Sequence, residues 1–353
     1  MKPRRPLPQR LAQRIQEAWL TRGPTAWALR PLAALYGALA ALRRAFFRRG
    51  WAKTITLPVP VIVVGNLIAG GAGKTPTVMA IVRLLRSRGY TPGIVSRGHG
   101  RHGDAGIEVR VDMSAAQCGD EPLLMHLRTG APVFVGRDRV GAARALLQRH
   151  PGVDVIVSDD GLQHLRLGRI AQVLVFDERG VGNGWLLPAG PLRERLPAAV
   201  PQRSIVLYNA ALPSTALRGE VAQRSLAGVV PLAAWWQGVP AAAHALEALR
   251  GRPVIAAAGV ARPQRLFAML QGAGLSMTPL ALPDHHDFAT LPWPPTAADV
   301  VLTEKDAIKI DPRRIGSTRV WVAALDFKPP AAFNAALIAL LPPPGTAHGN
   351  APA

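Results

Sequence analysis

The stretch Val61-Ile-Val-Val-Gly65-Asn-Leu-Ile-Ala-Gly70-Gly-Ala-Gly73-Lys74-Thr75-Pro76-Thr77 constrains the fold more than any other part of the chain. The β-branched run Val61 to Val64 predicts a buried strand, and Val78, Met79, Ile81, Val82, Leu84 and Leu85 recur at helical spacing up to Gly89. Strand, glycine loop and helix together are the setting of a phosphate loop. Gly70, Gly71 and Gly73, with Ala72 among them, let backbone amides crowd round a polyphosphate at the positive end of the new helix. Lys74 reaches the terminal phosphates, the Thr75 hydroxyl is a ligand for Mg²⁺, and Pro76 follows in the first helical turn.

The usual loop pattern begins with a glycine that would fall at Ile68, so this loop is a variant. Gly-Gly-Ala-Gly-Lys-Thr is similar to the loop of the partition and metal-chaperone ATPases, whose extra signature lysine would fall at Ala69. Downstream, Val153-Asp-Val-Ile-Val-Ser158-Asp159-Asp160-Gly161-Leu-Gln163-His164 reads as an apolar strand ending in acidic residues. A carboxylate there binds Mg²⁺ directly or through water and bridges it to nucleotide phosphates.

Further strands are expected at Thr91 to Ser96, Pro132 to Val135, Gln172 to Asp177, Ser204 to Tyr208, Val254 to Gly259 and from Asp299, with helices at Arg139 to Gln148 and Pro263 to Gln271. This alternation predicts an α/β fold of the P-loop NTPase type: a mainly parallel sheet flanked by helices, with a smaller C-terminal α/β domain. The expected divisions are a basic N-terminal segment (1–53), a kinase domain (54–202), the smaller domain (203–341) and a disordered tail (342–353).

An apolar fraction of 49% over 353 residues is enough to build such cores. Cys118 is the only cysteine, so no disulfide framework is possible. A net charge of +20, from 42 basic and 22 acidic residues, invites nucleic acid, an anionic membrane or phosphorylated substrates. Only six of the basic residues are lysines (Lys2, Lys53, Lys74, Lys305, Lys309 and Lys328), which points to codon bias behind part of the arginine excess. Zinc-finger spacing, RNA-binding aromatic signatures and heptads are absent from the sequence, and nucleic acid is not an expected partner.

Arginines flank the N-terminal segment: Arg4, Arg5, Arg10 and Arg14 on one side, Arg43, Arg44, Arg48 and Arg49 on the other. The uncharged run between, Leu32 to Leu42, is about 11 residues long where a membrane span needs about 20. It leads into arginines and phenylalanines instead of a small-residue cleavage site. The segment therefore reads as basic and amphipathic, with Trp19, Trp27, Tyr36, Phe46, Phe47 and Trp51 in the headgroup region of a bilayer. A helix packed on the catalytic domain with its arginines in solvent is the compatible alternative.

Three polar clusters interrupt the apolar texture. Ser96-Arg97-Gly98-His99-Gly100-Arg101 is a basic turn on the rim where open α/β sheets bind ligands. Asp120 and Glu121 stand at a helix start, where capping and the helix dipole explain them on their own. Asp284-His285-His286-Asp287 lacks a second ligand cluster, which favours a histidine oriented by a carboxylate over a metal site.

Taken in order, Gly65-Asn66 with the glycine loop, Ser96-Arg97-Gly98, Gly119-Asp120-Glu121-Pro122, Ser158 to His164, Asn183-Gly184-Trp185, Leu187-Pro188-Ala-Gly190-Pro191-Leu-Arg193-Glu194, Asp284-His285-His286 and Thr303-Glu304-Lys305-Asp306 resemble the tetraacyldisaccharide 4'-kinases of Gram-negative lipid A synthesis. The resemblance implies transfer of the γ-phosphate of ATP to the 4'-hydroxyl of an acylated glucosamine disaccharide 1-phosphate. It also implies a peripheral enzyme on the cytoplasmic face of the inner membrane, with a hinge between its domains. By the same resemblance Lys74 and Thr75 serve the triphosphate and Mg²⁺, and Asp159, Asp160, Gln163 and Glu194 line the metal and nucleotide side. Asp120 and a histidine, His285 in preference to His286, resemble the pair that deprotonates the sugar hydroxyl, which overrides the capping reading. Asn66, Arg97, Glu121 and His286 are carried over to the substrate side. His99 departs from the tyrosine usual in the family, and between Glu194 and Val254 no role is assigned. The competing readings are a membrane-associated ATPase switch of the partition type and a soluble small-molecule kinase.

Overall fold

The computed structural model describes residues 15, 17–98, 101 and 106–345. His99, the arginines at 4, 5, 10 and 14, and residues 346–353 of the expected tail lie outside the described residues.

Short runs of Val, Ile and Leu form a sheet of eight strands: β1 (Val61–Gly65), β2 (Pro92–Ser96), β3 (Ile107–Glu108), β4 (Val133–Val135), β5 (Val155–Asp159), β6 (Ala171–Asp177), β7 (Ser204–Asn209) and β8 (Glu220–Val221). Their order is β3-β4-β2-β5-β1-β6-β7-β8. Every pairing is parallel except that of β3 with β4. β1, β2, β4 and β5 are buried along their whole length, as strands covered on both faces must be. Among the described residues, helices of eight residues or more are α1 (Arg30–Arg48), α2 (Lys74–Ser87), α3 (Asp120–Thr129), α4 (Arg139–Arg149), α5 (Pro263–Gly272) and α6 (Ala331–Ile338).

A second sheet holds β9 (Gln223–Pro231), β10 (Val254–Ala258), β11 (Met277–Ala281), β12 (Asp299–Thr303) and β13 (Arg319–Lys328) in the order β11-β10-β12-β13-β9. Only β9 runs antiparallel to its neighbour, β13. The expected start of the smaller unit at residue 203 does not match this division. β7 pairs with β6 from Gln172↔Ser204 to Asp177↔Asn209, and β8 pairs with β7, so the larger sheet runs on to Val221. The apolar pattern of Ser204–Asn209 identifies a strand, but a period of two says nothing about which sheet accepts it.

The two sheets share apolar packing at the base of the space between them. Val78, Val82 and Leu85 of α2 belong to one buried cluster with Val322 and Phe327 of β13 and with Phe333 and Leu337 of α6. The other face of the smaller sheet has its own cluster, with Leu266 and Leu270 of α5 packed on Val254 and Val301.

β1 is the point where the connections reverse: β5 and β2 lie on one side of it, β6 and β7 on the other. The crevice beyond the C-terminal ends of β1 and β5 is therefore the place for a ligand. The register Val64↔Asp159 brings the end of β5 beside the start of the glycine loop.

The N-terminal segment docks on residues 183–194. Tyr36 donates its hydroxyl to the Arg193 carbonyl at 2.9 Å, and Trp19 Nε1 donates to the Pro188 carbonyl at 2.9 Å. Asn183 Nδ2 donates to the carbonyls of Ala18, Thr21 and Ala189. At Gly37 a Cβ would lie 2.7 Å from Leu186 Cδ1, which marks how closely the helix approaches this segment. The opposite side of α1 presents Leu32, Leu35, Leu39, Leu42 and Phe46, each at least 40% exposed and spaced by three and four residues. The helix packs on the larger unit, as the alternative expectation had it, and leaves an apolar stripe facing outward. Trp19 and Tyr36 are engaged on the catalytic unit, and the outward stripe is mainly leucine, with Trp27 and Trp51 exposed beside it. No described helix is long and apolar enough to cross a membrane.

Candidate active site

A cleft of about 470 Å³ opens between the C-terminal ends of β1 and β5 and the facing loops of the smaller unit. Gly70, Gly71 and Gly73 to Pro76 line one wall, and Asp284, His285 and Lys305 line the other. A second concavity, of about 600 Å³, lies beneath α1 beside Glu194 and Arg44. The convergence of ionisable groups picks out the first as the site.

Gly70 (φ 91°) and Gly73 (φ 89°) adopt left-handed backbone that only glycine takes without strain, and α2 begins directly after Gly73. Lys74 is buried; its Nζ donates to Asn66 Oδ1 at 3.3 Å and lies 3.6 Å from Asp160 Oδ1. Asn66, expected on the substrate side, is fully buried and also donates to the Gly70 carbonyl at 3.0 Å, which makes it a brace of the loop. Two neighbours that the sequence did not reveal hold the loop from the ends of β6 and β7. Arg179, gripped by both oxygens of Asp177, donates to the carbonyls of Ala69 and Gly71, and Asn209 donates to the Ala72 carbonyl.

Asp159 Oδ2 accepts the Ser96 hydroxyl at 2.9 Å, while its Oδ1 is buried without a hydrogen-bond partner. Burial pushes this carboxyl well above the usual carboxylate range, Glu121 and Asp160 add to the shift, and Lys74 opposes it. Asp160 sits in left-handed backbone (φ 49°) and takes Arg193 Nη1 at 3.1 Å. Burial would raise its carboxyl too, but Lys74 and Arg193 outweigh that and hold it below the ordinary range. Gln163 and Glu194 have neighbours of a different kind. Gln163 Nε2 donates to Glu194 Oε1 at 3.1 Å, Arg193 reaches Gln163 Oε1 at 3.3 Å, and Glu194 Oε2 pairs with Arg44 of α1 at 2.9 Å. Glu194 lines the concavity under α1, and the two residues stand behind Asp160 by way of Arg193. Thr75 and Arg97 line the cleft.

Asp120 is the first residue of α3. Its Oδ1 accepts the Glu121 amide at 2.9 Å, a remnant of the capping expected for a carboxylate there. The other oxygen faces the smaller unit: His285 Nδ1 stands 3.1 Å away, Lys309 Nζ 3.8 Å and Lys305 Nζ 4.0 Å. Burial pushes the Asp120 carboxyl up, yet the His285 hydrogen bond and the lysine charges prevail and hold it at about 2. The same hydrogen bond raises the His285 imidazole, against the effect of burial. His285 itself has a positive φ of 60°, the kind of strain that persists only where the surroundings enforce it. His286 points elsewhere: its Nδ1 accepts the Phe288 amide at 3.1 Å and its ring packs edge-on against Phe288. The geometry thus separates the two histidines and brings His285 to Asp120. Glu121 pairs with Lys305 at 3.0 Å. Among the described residues, no group of three or more His, Cys, Asp or Glu side chains gathers as a zinc or iron site would.

A family model described as tetraacyldisaccharide-1-P 4'-kinase matches residues 25–342. The chain belongs to that family. The tetraacyldisaccharide 4'-kinase of Methylibium petroleiphilum is 56% identical over 346 residues, covering 97% of this chain and 97% of its own. The protein of that name from Leptothrix cholodnii is 56% identical over 337 residues, 94% of this chain and 97% of its own. The crystal structure of LpxK from Aquifex aeolicus, an "apo" form in complex with ATP, superposes with a TM-score of 0.73 at 26% identity and covers 90% of this chain and 99% of that one. The likeness spans both sheets, so the smaller unit and its side of the cleft are as much part of the kinase family as the glycine loop.

Proposed function

We propose that the chain is an ATP-dependent kinase that transfers the γ-phosphate to the 4'-hydroxyl of a tetraacyl disaccharide 1-phosphate and gives the 1,4'-bisphosphate of lipid A biosynthesis. The observation that carries this reading is the Asp120–His285 pair, which faces the glycine loop across one cleft although 165 residues separate its members. Phosphoryl transfer needs positioning and neutralised charge more than covalent help from the protein. The loop amides and Lys74 hold the triphosphate, Asp120 takes the proton of the attacking hydroxyl, and His285 keeps the carboxylate oriented toward it. Glu121, Arg97 and the rim of the smaller unit face the sugar.

The donor set suits Mg²⁺. The partnerless, buried Asp159 Oδ1, with a carboxyl that burial makes reluctant to ionise, is an oxygen in need of a cation, and Asp160 and Thr75 supply further hard oxygen donors beside it. Bound there, the ion would offset the charge of the β- and γ-phosphates. Asp159→Asn is expected to lower kcat by about 10²-fold or more and to raise the Mg²⁺ concentration needed for half-maximal rate. A magnesium titration of both proteins checks this, and an unchanged half-maximal concentration would remove Asp159 from the ion.

In this reading α1 lies on the cytoplasmic face of the inner membrane, with its leucine stripe in the acyl boundary and its arginines among anionic headgroups. Turning Leu35 and Leu39 into glutamates removes about 3 kcal/mol of apolar burial, or roughly a hundredfold in partition onto anionic vesicles. Sedimentation with vesicles measures it, and unchanged partition would leave the stripe without a membrane role. A partition-type switch is disfavoured by Ala69 in place of the signature lysine and by full-length likeness to kinases.

The decisive assay is transfer of labelled γ-phosphate from ATP to a tetraacyl disaccharide 1-phosphate in detergent micelles, with and without chelation of Mg²⁺. Transfer that depends on Mg²⁺ supports the kinase. ATP hydrolysis stimulated by anionic vesicles without lipid phosphorylation would replace it by the switch.

A further inference from the structure

The strand-to-turn motif Thr303-Glu304-Lys305-Asp306 has no role in the scheme above, yet it delivers a cation to the reacting carboxylate. We propose that Lys305 is a catalytic residue of the transfer step: its ammonium leaves Glu121 for an oxygen of the phosphoryl group in flight, a charge supplied by the smaller unit. This rests on the kinase reading.

Three observations carry it. The chain contains six lysines against 36 arginines, and three of the six, Lys74, Lys305 and Lys309, lie within 4.0 Å of cleft carboxylates. In a chain that uses arginine almost everywhere, lysine remains where a compact point charge is needed in place of a planar fork.

The turn that carries Lys305 is also locked in place. Thr303 Oγ1 accepts the Asp306 amide and donates to Asp306 Oδ2, which accepts the Gly259 amide as well. A lysine serving only solubility needs no such mounting.

The third observation is position. Lys305 Nζ is 3.0 Å from Glu121 Oε1 and 4.0 Å from Asp120 Oδ2. A hydroxyl bound to Asp120 lies about 3 Å from that oxygen, and the γ-phosphorus is the next atom along the reaction line. On this flank Asp120 and Glu121 of the larger unit present carboxylates, which repel a triphosphate, and Lys305 is the cation in contact with both. Lys309 is the more enclosed of the two lysines and is spent on the His286 carbonyl and Asp306. Lys305 is the one that lines the cleft.

In the step itself the 4'-oxygen bonds to the γ-phosphorus while the bond to the β–γ bridging oxygen breaks, and that electron pair leaves with ADP. The hydroxyl proton passes to Asp120. Lys305 keeps its own proton throughout and neutralises charge on the transferring oxygens.

The test uses the full chain in micelles with Lys305→Met, Lys305→Gln and Lys305→Arg, whose melting curves first establish folding. For the neutral variants kcat is expected to fall by about 10²–10³-fold, while ATP affinity and the lipid KM stay within about threefold. Affinity for ADP, Mg²⁺ and aluminium fluoride in the presence of lipid is expected to weaken by a factor comparable to the loss in kcat, since this complex imitates the transition state. Lys305→Arg is expected to recover part of the rate. If the loss falls wholly in KM or ATP affinity, or the fluoride complex binds unchanged, Lys305 is only a tie between the two units and the proposal is overturned. A wild-type chain that phosphorylates no lipid would instead defeat the kinase reading on which the proposal stands.

Discussion

Asp120→Asn is expected to lower kcat for lipid phosphorylation by about 10³-fold while ATP affinity stays close to that of the wild type. The amide keeps the shape and the Glu121 contact but cannot take the hydroxyl proton, and the site retains its loop, Lys74 and the carboxylates of β5. A residual rate above the uncatalysed reaction is therefore expected from positioning alone. The wild-type carboxyl, held at about 2 by His285 and the lysines, is ionised throughout the working range, so Asp120 imposes no acidic limb near neutrality. His285→Ala removes the strongest of the influences that lower it while burial remains. The carboxyl then rises, and the acidic limb of kcat/KM is expected to move to higher pH. Pre-steady-state and pH-dependent kinetics measure both effects, and full activity in Asp120→Asn would end its role as proton acceptor.

Gly73→Ala is expected to weaken ATP binding by about a hundredfold with little change in melting temperature. The residue sits at φ 89°, where a side chain costs about 1–2 kcal/mol, and a Cβ built there would lie 2.8 Å from Asn209 Cγ and closer still to Nδ2. Asn209 cannot move away freely because its amide supports the Ala72 carbonyl. Together these amount to about 3 kcal/mol, which the loop escapes by leaving the phosphate-binding shape, so the cost is carried by nucleotide affinity. In Gly73→Ala/Asn209→Ala the amide clash is gone while the backbone strain and a 3.2 Å contact with the Asn209 Cβ remain. Affinity is expected to recover about tenfold and no further. Calorimetric titration of ATP into the four proteins of the cycle decides it, and additive losses would refute coupling between the two positions.

The parts of this molecule that could be read from its sequence are those governed by local rules. The glycine loop, the strand Val155–Asp159 with its terminal carboxylate, and the helices Lys74–Ser87, Arg139–Arg149 and Pro263–Gly272 follow from periodicity, turn chemistry and burial on both faces. The pairing of Asp120 with His285 did not come from spacing; it came from resemblance, because contacts across 165 residues leave no periodic trace. For the same reason the choice of β6 as partner of Ser204–Asn209 was hidden, as were β9 and β13 in the stretches that carried no motif. Trp19 and Tyr36, aromatic residues of the segment expected at a bilayer, spend their polar ends on the carbonyls of Pro188 and Arg193, contacts across more than 150 residues that amphipathic patterning does not register. The scarcity of lysine was visible from the start, but only the fold shows that half the lysines converge on one cleft.

Arg193 and Glu194 are consecutive residues that meet at Gln163 and hold different partners beyond it: Arg193 holds Asp160 beside the phosphate-loop lysine, and Glu194 holds Arg44 on α1. Helix α1 is consequently not a detachable module. Truncation ahead of residue 54 would strip Glu194 of its guanidinium and the Arg193 carbonyl of the Tyr36 hydroxyl, so the loss would reach Asp160 through Arg193. Amputation therefore removes contacts of the cleft together with the helix, and grafting this helix onto another enzyme, or another helix onto this one, would have to transplant the 183–194 platform with it.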